Sequence, residues 1–530
     1  MNKKFLLSTM AACMLGTVPS FAAVEYWVSL NGDDANAGTE AEPYATPEMA
    51  ILMANEGEET IIHFEKDAEF LIGKLEAGEN KTIRLIGDNT LFLAEKDPLP
   101  QGTNRTAHRI LDGGAGTNLY VEGIIFKNGR QIEYLGGGAI GFTGETLEVN
   151  NCQFIHNESG SGGNAICASA EEVIVRNSYF EDNYSIGYAA RGGAIVQAGV
   201  FDEENGLRGS LVVENCTFAN NSVLSGQGTA IDIFDKGYNK GEGRSYTTYL
   251  KVTNCTFISN TSGDTKYQAA IDITGGDNCE TYITNNTFYG GDGAFRLYFQ
   301  NAPVYFVNNF AYVDKATILS EYTTDANLGQ IQAYNNILYG GERGVNENIL
   351  EPGLTTEAAA CNNTIGTTSQ VSMAALGVNT KLTTDDPDSK VPYLAILSQN
   401  SPLVNAGLDS YAEIDGEVEN FIPATDVRGK ASNGKKDIGA FEYNGLNAGV
   451  ETITTGENSN IAFISNGSEI VVTNSNGDAM DVAVYSVDGK LLYNAHGVNV
   501  TIGKDNLAKG IVIVKATDNN GSATKKMVVM

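Results

Sequence analysis

The amino-acid sequence predicts an all-β protein, a right-handed parallel β-helix followed by a small C-terminal Ig-like β-sandwich. Three observations lead to this prediction: a recurring N-x-x-F motif, short segments of alternating apolar residues around it, and a change of character near residue 460. No helix-length apolar pattern lies between the motifs, which argues against helix-containing solenoids. A solenoid can also accommodate 530 residues, because each coil packs only on its neighbours.

The N-x-x-F motif is usually followed by x-x-N, as in NCQFIHN and NCTFANN, and looser copies run from Gly123 to Asn362. Asn tolerates the left-handed backbone that a coil corner requires, so we expect it at bends, forming a side-chain ladder between coils. The Phe should stack inside the coil. The clearest ladder positions are Asn151, Asn177, Asn215 and Asn254, with Phe154, Phe180, Phe218 and Phe257.

A second motif comes before each β-type segment, as GGAI at 137–140, GTAI at 228–231 and DGAF at 292–295. Each repeat therefore offers two or three strands of four or five residues, separated by turns. Coils of at least about 22 residues, stacked at about 4.8 Å, fit this pattern.

The alternation of GGA[ILV] with FxxN resembles the repeat of chlamydial polymorphic outer membrane proteins, whose passengers are β-helical adhesins. The resemblance is good from Phe154 to Asn260 and fades afterwards. YWVSLNGDDANAGTEAEPYATPEMA at 26–50 looks like the opening segment of secreted bacterial β-helix proteins, which implies a capping helix within residues 24–60. SPLVNAGLDS and TDVRGKASNGKKDIGAFEY resemble their closing segment, which implies a closure over 395–443.

The chain start reads as a signal peptide over residues 1–22, with Lys3 and Lys4 before an apolar run and Ser20-Phe21-Ala22 as the cleavage site. A lipoprotein site at Cys13 is the weaker alternative. The β-helix is then expected over 23–443, a linker over 444–459 and the sandwich over 460–530. No other segment has about 20 apolar residues in a row, so we expect no transmembrane helix in the mature chain.

The tail contains VYSVDGKLLYN, LAKGIVIVKA and KKMVV, and resembles the C-terminal sorting domain of the type IX secretion system of Bacteroidetes. It departs from that family at Val512, where Tyr or Phe is usual. The resemblance implies recognition by outer-membrane secretion machinery, removal of the tail and anchoring to lipopolysaccharide. The alternative is a fixed Ig-like stalk.

The formal net charge of -31 argues against nucleic acid or anionic lipid as partners. It suits a soluble extracellular protein that could bind divalent cations, although solubility alone also explains it. Cys152, Cys216 and Cys255 each follow the motif Asn, which suggests small buried fillers, with a bridge between stacked coils as the alternative.

The sequence lacks the motifs of several kinds of catalytic and binding site. The four histidines are dispersed, no GxSxG or GxxxxGK[ST] occurs, and no cysteine spacing fits a metal. The dense Asp motif of β-helical hydrolases and the Arg-Pro-x-x-Arg string of lyases are also missing.

The remaining candidate chemistry is that of carboxylates, which occur at the position directly after the last apolar residue of the second motif. Asp232, Asp272 and Arg296 occupy it in successive repeats and should point outward at coil spacing. Such carboxylates could hold Ca²⁺ or act as an acid and base, while Arg296 could neutralise Asp272 or hold an acidic sugar. The alternative is a self-satisfied surface salt ladder.

The longest insertions, at 184–193, 198–209, 234–246 and 262–268, are expected to border this sheet. The leader, the resemblance of the repeats and of the tail, and the missing catalytic motifs suggest a protein secreted and anchored at the outer cell surface, adhesin-like or binding an extracellular polysaccharide or host surface glycan. The alternative is a polysaccharide lyase or glycoside hydrolase. Stacking surfaces for sugar rings are expected at Tyr238, Tyr246, Tyr267 and Tyr298.

Overall fold

The structure is a computed structural model, and its description covers most of the chain. The described residues are 23–97, 107–132, 136–187, 190–202, 206–233, 247–263, 268–274, 279–298, 302–321, 331–341, 361–416, 418–432, 434–443, 461–465, 469–486, 490–507, 510–519 and 521–529. The expected signal peptide and linker lie outside them.

The predicted fold class is confirmed. A complete coil carries four short strands, which we call rows a to d, for example Thr146–Asn150, Gln153–Ile155, Glu158–Ser159 and Ile166–Ala168. Each strand pairs in parallel with the same row of the next coil. Alternate side chains in rows a and b face a continuous apolar core, so the alternating segments of the sequence correspond to one wall of the helix.

Rows a and b form one sheet of 20 strands. Its row a strands are Val24–Val28, Glu59–Phe64, Thr146–Asn150, Glu172–Arg176, Ser210–Glu214, Tyr249–Thr253, Glu280–Thr284, Val304–Val307 and Ile331–Tyr334. Thr82–Leu93 and Asn118–Lys127 span both rows. The row b strands are Glu69–Leu71, Gln153–Ile155, Tyr179–Glu181, Thr217–Ala219, Thr256–Ile258, Thr287–Tyr289, Phe310–Tyr312, Ile337–Gly340 and Thr364–Thr367.

Rows c and d form the other walls. Row c consists of Arg130–Gln131, Glu158–Ser159, Tyr184–Ser185, Ser222–Val223 and Thr261–Ser262. Row d consists of Leu75–Gly78, Leu111–Gly113, Ile140–Phe142, Ile166–Ala168, Ile195–Gln197, Ile231–Ile233, Ala269–Thr274, Gly293–Tyr298 and Ile318–Glu321. Ala190–Arg191 also pairs in parallel with Gly226–Gln227, and Val200–Asp202 forms a hairpin with Gly206–Arg208.

The motif Asn lies at the bend between rows a and b. Asn151, Asn177, Asn215 and Asn254 have φ between 50° and 54°, a left-handed conformation that Asn adopts more readily than bulkier residues. Nδ2 of Asn254 donates to Oδ1 of Asn215 at 3.1 Å, and Asn215 donates to Asn177 at 3.3 Å. Asn177 donates instead to Asn150, at 2.9 Å, so among the described residues the bonded row does not include Asn151.

The motif Phe forms a column inside the helix. The rings of Phe154, Phe180, Phe218 and Phe257 stack nearly parallel, with centroids 4.7 to 4.9 Å apart. The column therefore follows the spacing between coils and fills the core beneath row b.

A second Asn column, formed by the last residue of the motif, is buried at the bend between rows b and c. Nδ2 of Asn221 donates to Oδ1 of Asn260 and to the carbonyl of Phe180, both at 3.0 Å. Oδ1 of Asn221 accepts the backbone N–H and Nδ2 of Asn183, at 3.2 and 2.9 Å. Each Asn thus satisfies buried polar groups of neighbouring coils.

The column at the position after the bend Asn is also buried. Cys152, Cys216 and Cys255 occupy it as free thiols, and Asn286 and Asn309 replace them in later coils. The thiols therefore fill space between coils without a disulfide in this structure.

The ends of the β-helix are closed differently. Helix Pro47–Leu52 begins at the N-cap Thr46, whose hydroxyl accepts from the N–H of Met49, and Asp34 accepts the backbone N–H groups of Ala45 and Thr46 at 2.9 Å. The apolar side of this helix is buried against the first coils.

The closing segment includes helix Met373–Leu376 and the 3₁₀ turn Tyr411–Glu413. It runs back along the outside of the corner between rows a and b. Its hydrogen bonds with five successive coils join Thr217 to Pro392, Asn254 to Thr425, Thr287 to Ala440, Asn308 to Leu408 and Asn335 to Ala406.

The tail forms two antiparallel sheets over a shared core. One contains Ile461–Ser465, Glu469–Asn474 and Asn499–Gly503, and the other Leu491–Gly497, Met480–Ser486, Gly510–Asp518 and Gly521–Val529. A 3₁₀ turn, Lys504–Asn506, joins them. In the described part of the chain, no helix is long and apolar enough to cross a membrane.

Candidate functional site

Row d brings the three candidate site residues together. Asp232 pairs with Asp272 in register, and Asp272 pairs with Arg296. The neighbouring side chains of each strand, such as Ile231 and Ile233, are fully buried in the apolar core. Alternation along the strand therefore directs Asp232, Asp272 and Arg296 away from the core.

These side chains point outward from the coil, but they do not reach solvent. Asp232 and Asp272 are 0% exposed and Arg296 is 1% exposed. The turn before the row d strand of Asp232 folds back over the outward side: a Cβ placed on Gly228 would lie 2.8 Å from the Cβ of Asp232. The surface location of the expected salt ladder is therefore wrong, because the ladder is buried, whereas its ion pair between Asp272 and Arg296 is present.

Asp272 is the centre of the charge cluster. Nη1 of Arg296 donates to Oδ1 of Asp272 at 2.8 Å, and Nη1 of Arg191 lies 4.0 Å from Oδ2. Arg191 precedes the second motif of an earlier coil, and its side chain keeps 17% of its surface exposed. We call Arg191, Asp232, Asp272 and Arg296 the buried charge cluster.

Asp232 differs from Asp272 in its contacts. Neither Oδ1 nor Oδ2 of Asp232 has a hydrogen-bond partner among the described residues. Burial, followed by the nearby Asp272 carboxylate, raises the pKa of Asp232 well above its ordinary value, and Arg191 and Arg296 offset this in part. Asp232 therefore favours its protonated form, which can donate a hydrogen bond.

The cluster does not favour the Ca²⁺ site considered for Asp232 and Asp272. Calcium takes six to eight oxygen ligands, whereas here two guanidinium groups lie beside the carboxylates. Throughout the residues that the structure describes, no group of three or more His, Cys, Asp or Glu side chains could hold a metal ion.

The four candidate sugar-stacking residues are not placed by the structure. Tyr238, Tyr246 and Tyr267 lie outside the described residues. Tyr298 ends the row d strand Gly293–Tyr298, but only its backbone is described. Their contribution to a binding surface stays a prediction.

Sequence reasoning missed Arg191, because it is not at the ladder position of its coil. The sequence feature that could have identified Arg191 is its position directly before a GGAI motif, in the turn that crosses row d. Arg109 also precedes a row d strand upstream, at a different position: its Nε donates to the carbonyl of Gly137 at 2.9 Å, and its Nη1 pairs with Asp112. A Cβ on Gly141 would lie 2.4 Å from the Arg109 guanidinium, so this glycine makes room for it.

Comparisons with known proteins leave the activity open. No protein-family profile matches the chain, and no curated protein matches it. Among solved structures, the chain resembles the crystal structure of pectate lyase Pel9A, at 14% identity and a TM-score of 0.35, over 80% of this chain and 98% of that chain. A likeness of this size does not bear on catalysis or ligand.

Proposed function

We propose that the chain is an exported surface protein that binds an extracellular polysaccharide or host surface glycan without cleaving it. One observation carries this proposal: the strongest catalytic candidates are excluded from solvent, and Asp272 is ion-paired with Arg296. A hydrolytic acid and base pair must contact the scissile bond and a water molecule. The buried charge cluster is better suited to supporting a binding surface than to attacking a sugar polymer.

The export part of this proposal rests on the sequence. The residues 1–22 resemble a signal peptide, and the tail resembles a type IX sorting domain with the antiparallel sheets of a small sandwich. Cell fractionation of the full chain and of a chain ending at residue 459 tests it. We expect the full chain at the outer surface and the shortened chain in the periplasm, and equal surface levels would contradict the sorting role.

A glycan array followed by product analysis tests binding. We expect retention of specific glycans by the intact protein, with the bound glycan recovered at its original length. Recovery of shortened or unsaturated products would contradict the non-catalytic proposal.

The second candidate is a polysaccharide lyase or glycoside hydrolase, and the raised pKa of Asp232 is the observation that favours it. A carboxyl group kept protonated by burial beside a second carboxylate is a typical general acid. If cleavage products appear, Asp232→Asn should abolish them while leaving glycan binding in place. Unchanged cleavage by this variant would exclude Asp232 as the acid.

A further inference from the structure

The closing segment contains a lysine that is buried against a glutamate. Lys436 keeps 5% of its side chain exposed and Glu442 keeps 4%, and Nζ of Lys436 lies 3.3 Å from Oε1 of Glu442. Within the described part of the chain, this Nζ nevertheless makes no hydrogen bond. A buried ammonium group in such a contact is costly. We propose that Lys436 and Glu442 condense after folding to form an amide, an intramolecular isopeptide cross-link.

The backbone holds the two side chains in place. The N–H of Lys436 donates to Oδ1 of Asp409 at 2.7 Å. Oδ2 of Asp437 accepts the N–H of Tyr443, so the residue after Lys436 is bonded to the residue after Glu442. Groups that a fixed structure keeps about 3 to 3.5 Å apart react as if they were present at very high concentration. The contact between Nζ and Oε1 has this spacing.

The protonation state of Glu442 suits condensation. Burial raises the pKa of Glu442 to about 7, and the charge of Lys436 offsets this in part. The carboxylic acid form is therefore present near neutral pH. Transfer of one proton from the ammonium group of Lys436 to Glu442 gives an amine and a carboxylic acid, and it removes two charges from a site that excludes water.

The condensation is balanced by the loss of one water molecule. Nζ of Lys436 forms a bond with Cδ of Glu442, and the bond between Cδ and Oε1 breaks. Oε1 leaves as water with two of the three protons of the original ammonium group, and the amide nitrogen keeps the third. Oε2 accepts the N–H of Asp437 at 3.2 Å, and this donor stabilises the negative charge that develops on Oε2. The step consumes no oxidant and no second reactant.

The cross-link would secure a turn that contacts the coils. The N–H of Ala440 donates to Oγ1 of Thr287 at 2.9 Å, and the N–H of Gly439 donates to the carbonyl of Asn308 at 2.8 Å. The six cysteines that the structure describes are free thiols. An amide between Lys436 and Glu442 would therefore give the closing segment a covalent constraint that reducing agents do not break.

A tryptic peptide map of the purified full chain, read by mass spectrometry, tests the proposal. Trypsin does not cleave after an acylated lysine, and the next Lys or Arg after Lys436 is Lys490. We expect peptide 436–490 as the main form, about 18 Da lighter than its sequence because one water is lost. Its fragmentation should give no backbone ions from within the ring formed by residues 436–442.

The pair Lys251 and Glu214 is a matched control in the same molecule. Nζ of Lys251 lies 2.7 Å from Oε1 of Glu214, but the two side chains keep 24% and 22% of their surface exposed. Solvent stabilises both charges there, so trypsin should cleave after Lys251 as it does in an unmodified chain. The variant Lys436→Arg keeps a cation beside Glu442 and removes the reacting amine. It should yield peptide 437–490 at its full mass, and thermal melting checks its folding.

The parent protein alone decides the main question. Peptide 437–490 at full mass as its main product overturns the proposal, because Lys436 then carries a free amine. A loss of one water from peptide 437–490 of Lys436→Arg also overturns it, since the water would come from another position. None of these measurements involves a glycan, so the proposed binding function stands or falls separately.

Discussion

Nη1 of Arg296 and Oδ1 of Asp272 lie 2.8 Å apart on adjacent coils, at positions that solvent does not reach. Removing one partner of such a pair leaves a buried charge without compensation. We expect Asp272→Ala to lower the free energy of unfolding by about 3 to 5 kcal/mol, measured by denaturant titration with circular dichroism.

The matched surface control is Glu148→Ala, which removes a 3.2 Å pair with the half-exposed Arg176. This change should cost no more than about 1 kcal/mol. The double variant Asp272→Leu with Arg296→Met should be more stable than Asp272→Ala, because it does not leave the buried Arg296 guanidinium without its partner. Equal losses of unfolding free energy in Asp272→Ala and Glu148→Ala would contradict the buried ion pair.

Asp232 should make stability depend on pH. Its pKa is raised in the folded protein, so the native state holds a proton that the unfolded chain releases. The contribution of this proton to the free energy of unfolding is complete below the ordinary pKa of aspartate, about 3.9. It is lost as the pH rises through the pKa that Asp232 has in the folded protein. The melting temperature of Asp232→Asn should therefore fall less steeply than that of the parent protein as the pH rises.

The control for Asp232 is Asp182→Asn, at the half-exposed corner between rows b and c, where φ is 53° and Asn is well tolerated. This change should leave the pH profile of the melting temperature unchanged. The same slope for Asp232→Asn and the parent protein would show that Asp232 is not protonated in the native state.

The internal Asn column should be essential for stability. Asn221→Ala deletes four hydrogen bonds and leaves the N–H of Asn183 and the carbonyl of Phe180 buried without that partner. We expect a loss of about 3 kcal/mol or more in denaturant unfolding. Asn118→Ala, which removes one long bond of 3.4 Å to Glu145 at the surface, should change stability by about 0.5 kcal/mol or less.

The thiols of the coil core should resist modification. Burial raises the pKa of Cys152 to about 12 and that of Cys255 well above its ordinary value, so little reactive thiolate forms. Alkylation of the native protein followed by mass mapping should label Cys167 and Cys361, which are partly exposed, and spare the motif cysteines. Guanidinium should make all of these sites reactive, and native labelling of Cys152 would contradict the packing.

The local sequence pattern was sufficient to predict the coils. The Asn residues at the bends and the Phe residues in the core recur in each coil together with the short strands. The same alternation predicted that Asp232 and Asp272 face away from the core. Their burial could not be predicted, since it depends on how the turn at Gly228 folds over the next strand. Arg191 was missed for the same reason: its contact with Asp272 crosses coils and leaves no periodic signal.

The closing segment shows a different limit of sequence reasoning. Its motif residues satisfy one another: Asp426 accepts from Nε of Arg428 at 2.7 Å, and Asp437 accepts the N–H of Asn405 at 2.7 Å. Arg428 also lies 3.9 Å from the centre of the Phe441 ring. These contacts explain why such a segment has a recognisable sequence. Its docking site on the coil corner is formed by residues 71 to 175 positions earlier, such as Thr217, Asn254 and Asn335, which no local pattern specifies.

Because the closing segment binds five successive coils, it fixes their number. In a simple solenoid, a coil can be gained or lost by duplication with little effect on distant coils. Between the coils of Thr217 and Asn335, an extra coil would move one set of anchor points by a full coil spacing, and the segment could no longer reach both ends. Gain or loss of a coil, in evolution or in design, should therefore be tolerated among the coils before Tyr179. The last stage of folding, in which the closing segment docks on the coils, must wait until residue 440 has been synthesised.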